Sequence, residues 1–173
     1  FEKLLGAAGL ARKDIGYIIG TGYGRVSLPF IDKAVTEITC HAKGAHHLVQ
    51  ETDMVIDIGG QDSKVIVTDG QGNVINFAMN DKCAAGTGRF LQVMAAALGI
   101  DVSELAEFSK GAEPVQISSM CTVFAESEVI SLLAQGVAKE RIIAGIHRSV
   151  ASRIVAMAER LGKGEHITFT GGV

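Results

Sequence analysis

The fold is decided by a strand and a glycine turn in the middle of the chain, Met54-Val55-Ile56-Asp57-Ile58-Gly59-Gly60-Gln61-Asp62-Ser63-Lys64. The apolar run at 54–58 predicts a buried strand, and the two glycines predict a reversal of the chain. Residues 64–68 alternate as a returning strand, and a second turn at 69–73 leads to a third strand at 74–79. The pattern predicts an antiparallel meander of three short strands.

Further helices and strands are predicted on both sides of this meander. Before it, the predicted elements are a helix at 1–12, a buried strand at 14–20 and a helix at 31–45. After it, they are helices at 87–98, 103–110, 122–135 and 138–161 and a strand at 166–170. This order indicates an α/β fold with mixed strand directions. We expect a first subdomain to include residues 1–52 and a second to cover residues 53–173.

The composition excludes several classes of protein. The chain has 173 residues, 47% of them apolar, and a formal net charge of −3 without a basic run, which disfavours nucleic acid as a partner. It has no apolar run of about 18 residues and no signal-peptide pattern, so we expect no membrane association. Three cysteines are an odd number and indicate a reducing, cytoplasmic setting rather than a disulfide framework.

The glycine turn after the first meander strand carries residue types suited to phosphate chemistry. Gly59 and Gly60 leave backbone N–H groups free to approach phosphate oxygens, because no Cβ stands in the way. Asp57 or Asp62 could hold Mg²⁺ through water, and Gln61 could orient the attacking water of a hydrolysis. A hairpin turn with solvated acids is the alternative interpretation, with about equal weight for this motif alone.

Two cysteines are placed where thiolates are useful. Cys83 and Cys121 are each followed by small or capping residues and then by an amphipathic run, so we expect both at helix N-termini, where the helix dipole stabilises a thiolate. Two thiolates are half of the Cys₄ set that holds a cubane iron–sulfur cluster, and a two-fold dimer would supply the other half. No Cys-x-x-Cys motif supports a self-contained metal site. Buried thiols or a disulfide between the two remain alternatives.

Two more glycine-rich segments follow predicted strands. Thr170-Gly171-Gly172-Val173 and Gly20-Thr21-Gly22-Tyr23-Gly24-Arg25 match neither the P-loop nor the Rossmann fingerprint. We interpret the second segment as a structural turn near a cleft, with Arg25 facing a partner.

Four stretches together resemble the activator ATPases of 2-hydroxyacyl-CoA dehydratases, a family shared with the ATPase subunits of benzoyl-CoA reductases. In chain order they are Thr21-Gly22-Tyr23-Gly24-Arg25, Asp57-Ile58-Gly59-Gly60-Gln61-Asp62-Ser63-Lys64, Asn80-Asp81-Lys82-Cys83-Ala84-Ala85-Gly86-Thr87-Gly88-Arg89-Phe90-Leu91 and Cys121-Thr122-Val123-Phe124-Ala125-Glu126-Ser127-Glu128. The resemblance runs in order across nearly the whole chain.

The resemblance implies the actin and sugar-kinase fold, in which two ribonuclease H-like α/β subdomains surround an ATP cleft. It implies that residues 57–64, with Gly59, Gly60, Ser63 and Lys64, bind phosphate, and that Gly171 and Gly172 begin an adenosine motif. ATP and Mg²⁺ are then the expected ligands. A first phosphate motif of the Asp-x-Gly-Ser/Thr type is absent from the sequence, so we expect the chain to be a fragment that lacks both ends.

The resemblance also implies a homodimer with one 4Fe–4S cluster at the interface, and Cys83 and Cys121 match its ligand positions. The implied function is ATP-driven transfer of a low-potential electron from ferredoxin or flavodoxin, through the cluster, to a 2-hydroxyacyl-CoA dehydratase. Two rival functions stay open: a small-molecule kinase of the same superfamily without a cluster, and a truncated, non-catalytic module.

Overall fold

The N-terminal part of the chain consists of short elements. The computed structural model describes residues 1–118 and 121–173. It begins with helix α1 (Glu2–Ala7), followed by strands β1 (Ile19–Gly20) and β2 (Lys33–Ala34), which pair in parallel, and helix α2 (Glu37–Leu48). One-turn 3₁₀ segments lie at Arg12–Asp14 and Tyr23–Ser27.

The predicted meander is the centre of a four-stranded mixed sheet. Its strands are β3 (Met54–Ile58), β4 (Ser63–Thr68) and β5 (Val74–Asn80), and β6 (Ile167–Gly171) is the fourth. The spatial order is β5-β4-β3-β6, with antiparallel pairing within the meander and parallel pairing of β6 with β3. The register sets Asp57 opposite both Lys64 and Thr170, so residues far apart in sequence meet at one end of the sheet.

Among the residues that the structure describes, four helices lie between the meander and β6. They are α3 (Gly88–Leu98), α4 (Leu105–Phe108), α5 (Thr122–Ala134) and α6 (Lys139–Leu161), with a 3₁₀ turn at Val102–Glu104 before α4. None of the helices among the described residues is both long enough and apolar enough to cross a membrane.

Hydrophobic burial fixes these layers around the sheet. Met54, Ile58 and Val65 point to one face, where they share a core with buried residues of α3, α5 and α6. Val55 and Ile66 point to the other face, against α2. The alternation arises because successive strand side chains point to opposite faces. The mixed α/β class predicted from the sequence is therefore confirmed.

The predicted helix at 31–45 is wrong in its first turn. The carboxylate of Asp32 accepts a hydrogen bond from the Ile18 N–H at 2.7 Å, and the Val35 N–H donates to the Gly20 carbonyl at 2.9 Å. These bonds tie residues 32–35 to the preceding strand. The helix begins at Glu37, where the Thr36 hydroxyl accepts from the Thr39 N–H and caps it.

Two other predicted helices are shorter than expected. The first, predicted at 1–12, ends at Ala7, and Gly9 has a positive φ of 68° that helical residues do not adopt. The helix predicted at 103–110 is a 3₁₀ turn capped by Asp101 and then one turn of α4.

Candidate functional site

The glycine turn joins β3 to β4 at the end of the sheet where the acidic residues lie. The Gly59 N–H donates to the Asp62 carbonyl at 2.9 Å and closes the turn. Asp57, the penultimate residue of β3, is only 5% exposed, and Gln61 at the tip is exposed. The turn therefore combines a buried carboxylate with a solvent-facing amide.

Lys64 holds the two carboxylates of the turn together. Its ammonium lies 3.3 Å from Asp57 Oδ2 and makes a short hydrogen bond to Asp62 Oδ1. Burial disfavours the charged lysine, but the hydrogen bonds and negative charges of Asp62 and Asp57 outweigh it and raise the Lys64 pKa. The Lys64 ammonium therefore lies between the carboxylates of Asp57 and Asp62 and partly neutralises their negative charge.

The turn is fixed to the N-terminus of α3. The Gly88 and Arg89 N–H groups donate to the carbonyls of Gly59 and Gly60 at 2.9 and 2.8 Å. A Cβ on Gly88 would lie 3.2 Å from Gly60 Cα, so glycine permits this close approach. The turn is consequently hydrogen-bonded to the first residues of α3.

Parallel pairing with β6 brings the second glycine pair beside the first. Gly171 lies opposite Ile58 with a positive φ of 108°, and a Cβ there would lie 2.2 Å from the Ile58 carbonyl oxygen. Gly60 and Gly172 both line a cavity of about 600 Å³ whose other walls come from α3, the α4 region and α6. Its polar side chains are Gln92, Ser103 and His147. The two predicted nucleotide segments thus border one cavity.

Three polar residues to which the sequence analysis gave no role in the site also reach it. Thr170 donates to Asp57 Oδ1 at 3.0 Å and lies 2.9 Å from His41 Nε2. Tyr23 donates to Asp62 Oδ2 at 3.0 Å, and this hydrogen bond raises the Tyr23 pKa. Sequence spacing carries no signal for these contacts, because they depend on the pairing of distant segments.

The glycine-rich loop at 20–25 contacts the site through Tyr23 rather than through Arg25. The Arg25 guanidinium makes an ion pair with Glu37 at 2.8 Å and also donates to the Gly22 carbonyl. Arg25 ties the loop to α2, and the prediction that it also faces a partner stays a prediction.

Cys121 lies at a helix N-terminus as predicted, whereas Cys83 does not. Cys121 is the exposed N-cap of α5. Cys83 is half-buried in the loop after β5, ahead of Thr87, the N-cap of α3. Helix α3 does not extend back to Cys83, because the Thr87 hydroxyl donates to the Ala84 carbonyl and Gly86 has a positive φ of 91°. Residues 119 and 120, just before Cys121, lie outside the described part of the chain.

The two thiols that the sequence assigns to a cluster are both free in the structure. All three cysteines are free, so the alternative of a disulfide between Cys83 and Cys121 is not observed. Within residues 1–118 and 121–173, no group of three or more histidine, cysteine or acidic side chains could hold a metal ion. A pair of thiols suits a soft iron–sulfur centre only if a second protein surface completes the ligand set.

Comparison with known proteins decides the family. The model of the BadF/BadG/BcrA/BcrD ATPase family matches residues 1–173. The chain belongs to this ATPase family. It is 52% identical over 173 residues to the 2-hydroxyisocaproyl-CoA dehydratase activator of Clostridioides difficile, which confirms the predicted resemblance. That alignment covers 99% of the chain and 65% of the relative, so the chain spans about two thirds of the length of this relative.

Solved structures of family members have the same fold. Component A of (R)-2-hydroxyglutaryl-CoA dehydratase from Acidaminococcus fermentans superposes with a TM-score of 0.83 at 53% identity, over 99% of the chain and 67% of that structure. The activator of the 2-hydroxyisocaproyl-CoA dehydratase from Clostridium difficile, with bound ADPNP, gives 0.81 at 52% identity over 99% and 65%. The predicted actin-like ATPase fold is confirmed.

Proposed function

We propose that the protein is an ATP-dependent reductive activator. It passes a low-potential electron through a 4Fe–4S cluster shared by two copies of the chain to a 2-hydroxyacyl-CoA dehydratase. The observation that carries this proposal is the 52% sequence identity, over 99% of the chain, to a protein named as a 2-hydroxyisocaproyl-CoA dehydratase activator. The dehydratase and the acyl-CoA class follow from the relatives and are part of the proposal.

The glycine turn supports ATP binding in the cleft. Gly59 and Gly60 would face phosphate groups, with Ser63 and Lys64 behind them and Gly171 and Gly172 beside the nucleoside. Asp57 and Asp62 would hold Mg²⁺ through its water ligands, because all four of their carboxylate oxygens already accept hydrogen bonds from the protein. Gln61, exposed at the tip, is free to orient the attacking water. A relative of known structure has ADPNP bound.

The surface around Cys121 supports a second copy of the chain. Val123, Phe124 and Ile130 of α5 are 66%, 68% and 52% exposed and lie along the helix that Cys121 caps. Such an apolar stripe next to a thiol suits a subunit interface. In our proposal Cys83 and Cys121 of each copy hold the cluster, which when bound supplies one-electron transfer at low potential.

A continuous set of contacts links the nucleotide turn to the cysteine loop. Ser63, fully buried, donates to the Gly86 carbonyl and lies opposite Asn80 in the sheet. Asn80 in turn donates to the carbonyls of Cys83 and Ala85 at 2.9 and 2.8 Å. A shift of the turn on nucleotide binding would therefore displace the Cys83 loop. These contacts would couple nucleotide binding to the cluster ligand.

Ferredoxin or flavodoxin is the proposed electron donor, and cytoplasmic location and homodimerisation belong to the same proposal. A small-molecule kinase would need neither Cys83 nor Cys121 as a free thiol, and a non-catalytic module would need no intact charge network around Asp57. The activator relatives favour the first function over both rivals.

Anaerobic iron and sulfide analysis of cysteine variants tests the proposal. Cys83→Ser and Cys121→Ser should each lose the cluster and its brown absorbance, because each removes a thiolate ligand. Cys40→Ser is the matched control, since Cys40 is an exposed thiol on α2 outside the cluster half-site, and it should keep full iron. Retention of stoichiometric iron by either Cys83→Ser or Cys121→Ser would refute the ligand assignment.

A further inference from the structure

We propose that His41 is a positioning residue that acts on Asp57 through the hydroxyl of Thr170. The inference deepens the proposed function and rests on it, because Asp57 is taken to face the Mg²⁺ of bound ATP. The three residues come from three different elements, α2, β6 and β3.

The order of donors along this chain of contacts follows from proton counting. Asp57 beside the Lys64 ammonium is an acceptor, and the Thr170 hydroxyl donates to its Oδ1 at 3.0 Å. A hydroxyl has a single proton, so towards His41, 2.9 Å away, it can only accept. His41 must therefore carry a hydrogen on Nε2.

The contacts from His41 through Thr170 to Asp57, here called the relay, restrain the orientation of a largely buried carboxylate. Asp57 is 5% exposed. Its Oδ1 is held by Thr170, with His41 Nε2 at 3.8 Å, and its Oδ2 is held by Lys64. Each oxygen is thus restrained by a different partner, so loss of the Thr170 contact would free one side of the carboxylate.

Through the relay, helix α2 also contributes a side chain to the proposed nucleotide site. Residues behind a metal-facing carboxylate commonly change metal affinity or activity by about 10- to 100-fold when they are removed. His41 lies one turn after Glu37, whose carboxylate pairs with Arg25 of the loop that carries Tyr23. The helix therefore contacts the site through His41 and, through the Glu37–Arg25 ion pair, holds the loop that carries Tyr23.

The first test reads the proton on His41 directly. In the nucleotide-free full-length protein, ¹⁵N NMR of the neutral imidazole should show Nε2 protonated and Nδ1 bare. Thr170→Val, which keeps the side-chain shape but removes the hydroxyl, should release this preference. A neutral His41 with hydrogen on Nδ1 would overturn the proposal without reference to activity.

The second test measures the Mg²⁺ dependence of ATP hydrolysis. His41→Leu and Thr170→Val should raise the Mg²⁺ concentration for half-maximal rate by roughly 10-fold, with a smaller effect on the affinity for Mg²⁺-free ADP. His41→Gln should recover most of the loss, because its amide N–H can replace the Nε2 donor, and Thr170→Ser should behave like the wild type. His47→Gln, on an exposed position of the same helix, is the matched control.

The outcomes separate this inference from the proposed function. If wild-type protein hydrolyses ATP but His41→Leu, His41→Gln and Thr170→Val all keep its Mg²⁺ dependence, the relay is refuted and the activator function stands. If the wild type neither binds nor hydrolyses ATP, the proposed function fails, and the tautomer measurement still decides the relay. Should His41→Leu fail to fold, His41→Gln and Thr170→Val carry the comparison.

Discussion

At the scale of single residues, the site depends on backbone that only glycine can supply. Gly171→Ala should destabilise the protein by about 2–4 kcal/mol, because the new methyl group meets the Ile58 carbonyl in a left-handed conformation. Gly172→Ala is the matched control: a Cβ there has open space, and its effect should stay within about 0.5 kcal/mol. Urea unfolding of both variants makes the comparison, and equal stabilities would show that β6 is not held as described.

Only part of the site at this scale could be predicted from the sequence. Asp57, the two turn glycines and Gly171 stand out because glycine and acid patterns are local along the chain. The roles of Thr170 and His41 could not be predicted, because their contacts near Asp57 depend on the parallel pairing of β6 with β3. No local sequence pattern indicates that pairing. Tyr23 reaches Asp62 across a loop and gives no signal for the same reason.

At the scale of elements, the Cys83 loop depends on one amide side chain. Asn80→Asp should lower the free energy of unfolding by about 1–3 kcal/mol, because the carbonyls of Cys83 and Ala85 lose their donor and face a carboxylate. The loop should then hold iron less firmly in anaerobic preparations. Asn76→Asp, at an exposed position of the same strand, should change stability by less than about 0.5 kcal/mol. An Asn80→Asp protein with unchanged stability and iron content would rule out this role.

Helix α6 carries a pH-sensitive histidine in the wall of the cavity. Burial lowers the pKa of His147, whose Nδ1 lies 3.1 Å from the Ser109 hydroxyl. Below about pH 6.5 the unfolded chain therefore binds more protons than the folded one, and stability falls as the pH drops. Stability lost between about pH 7.5 and about pH 5 should be smaller in His147→Asn than in the wild type. The same loss in urea unfolding of both proteins would contradict the burial effect.

The sequence predicts helices and strands correctly where an apolar pattern is long or where glycine turns mark the ends of an element. Helix α6 follows an apolar stripe over 138–161 and is observed at Lys139–Leu161, and the meander follows its two glycine turns. The helix predicted at 31–45 fails in its first turn because Asp32 and Val35 bond to the preceding strand. The helical spacing of apolar residues carries no information about hydrogen bonds to a neighbouring strand. The division at residue 52 stays a prediction, although α2 packs on the same sheet as the later helices.

At the scale of the whole molecule, one sheet joins the proposed ATP site to the region that carries Cys83. The glycine turn leads into β4, whose Ser63 donates to the Gly86 carbonyl in the Cys83 loop, and the neighbouring strand β5 ends at Asn80, which donates to the Cys83 carbonyl. Cys121 reaches the surface on α5, beside exposed apolar side chains. Such an arrangement suits a molecule whose function is completed only by a second copy.

Anaerobic native mass spectrometry of the full-length protein tests this central claim most directly. The account predicts a particle of two chains with one 4Fe–4S cluster, which falls apart or loses its iron in both Cys83→Ser and Cys121→Ser but not in Cys40→Ser. A single chain that retains its own complete cluster, or a dimer that contains no iron after anaerobic reconstitution, would contradict it.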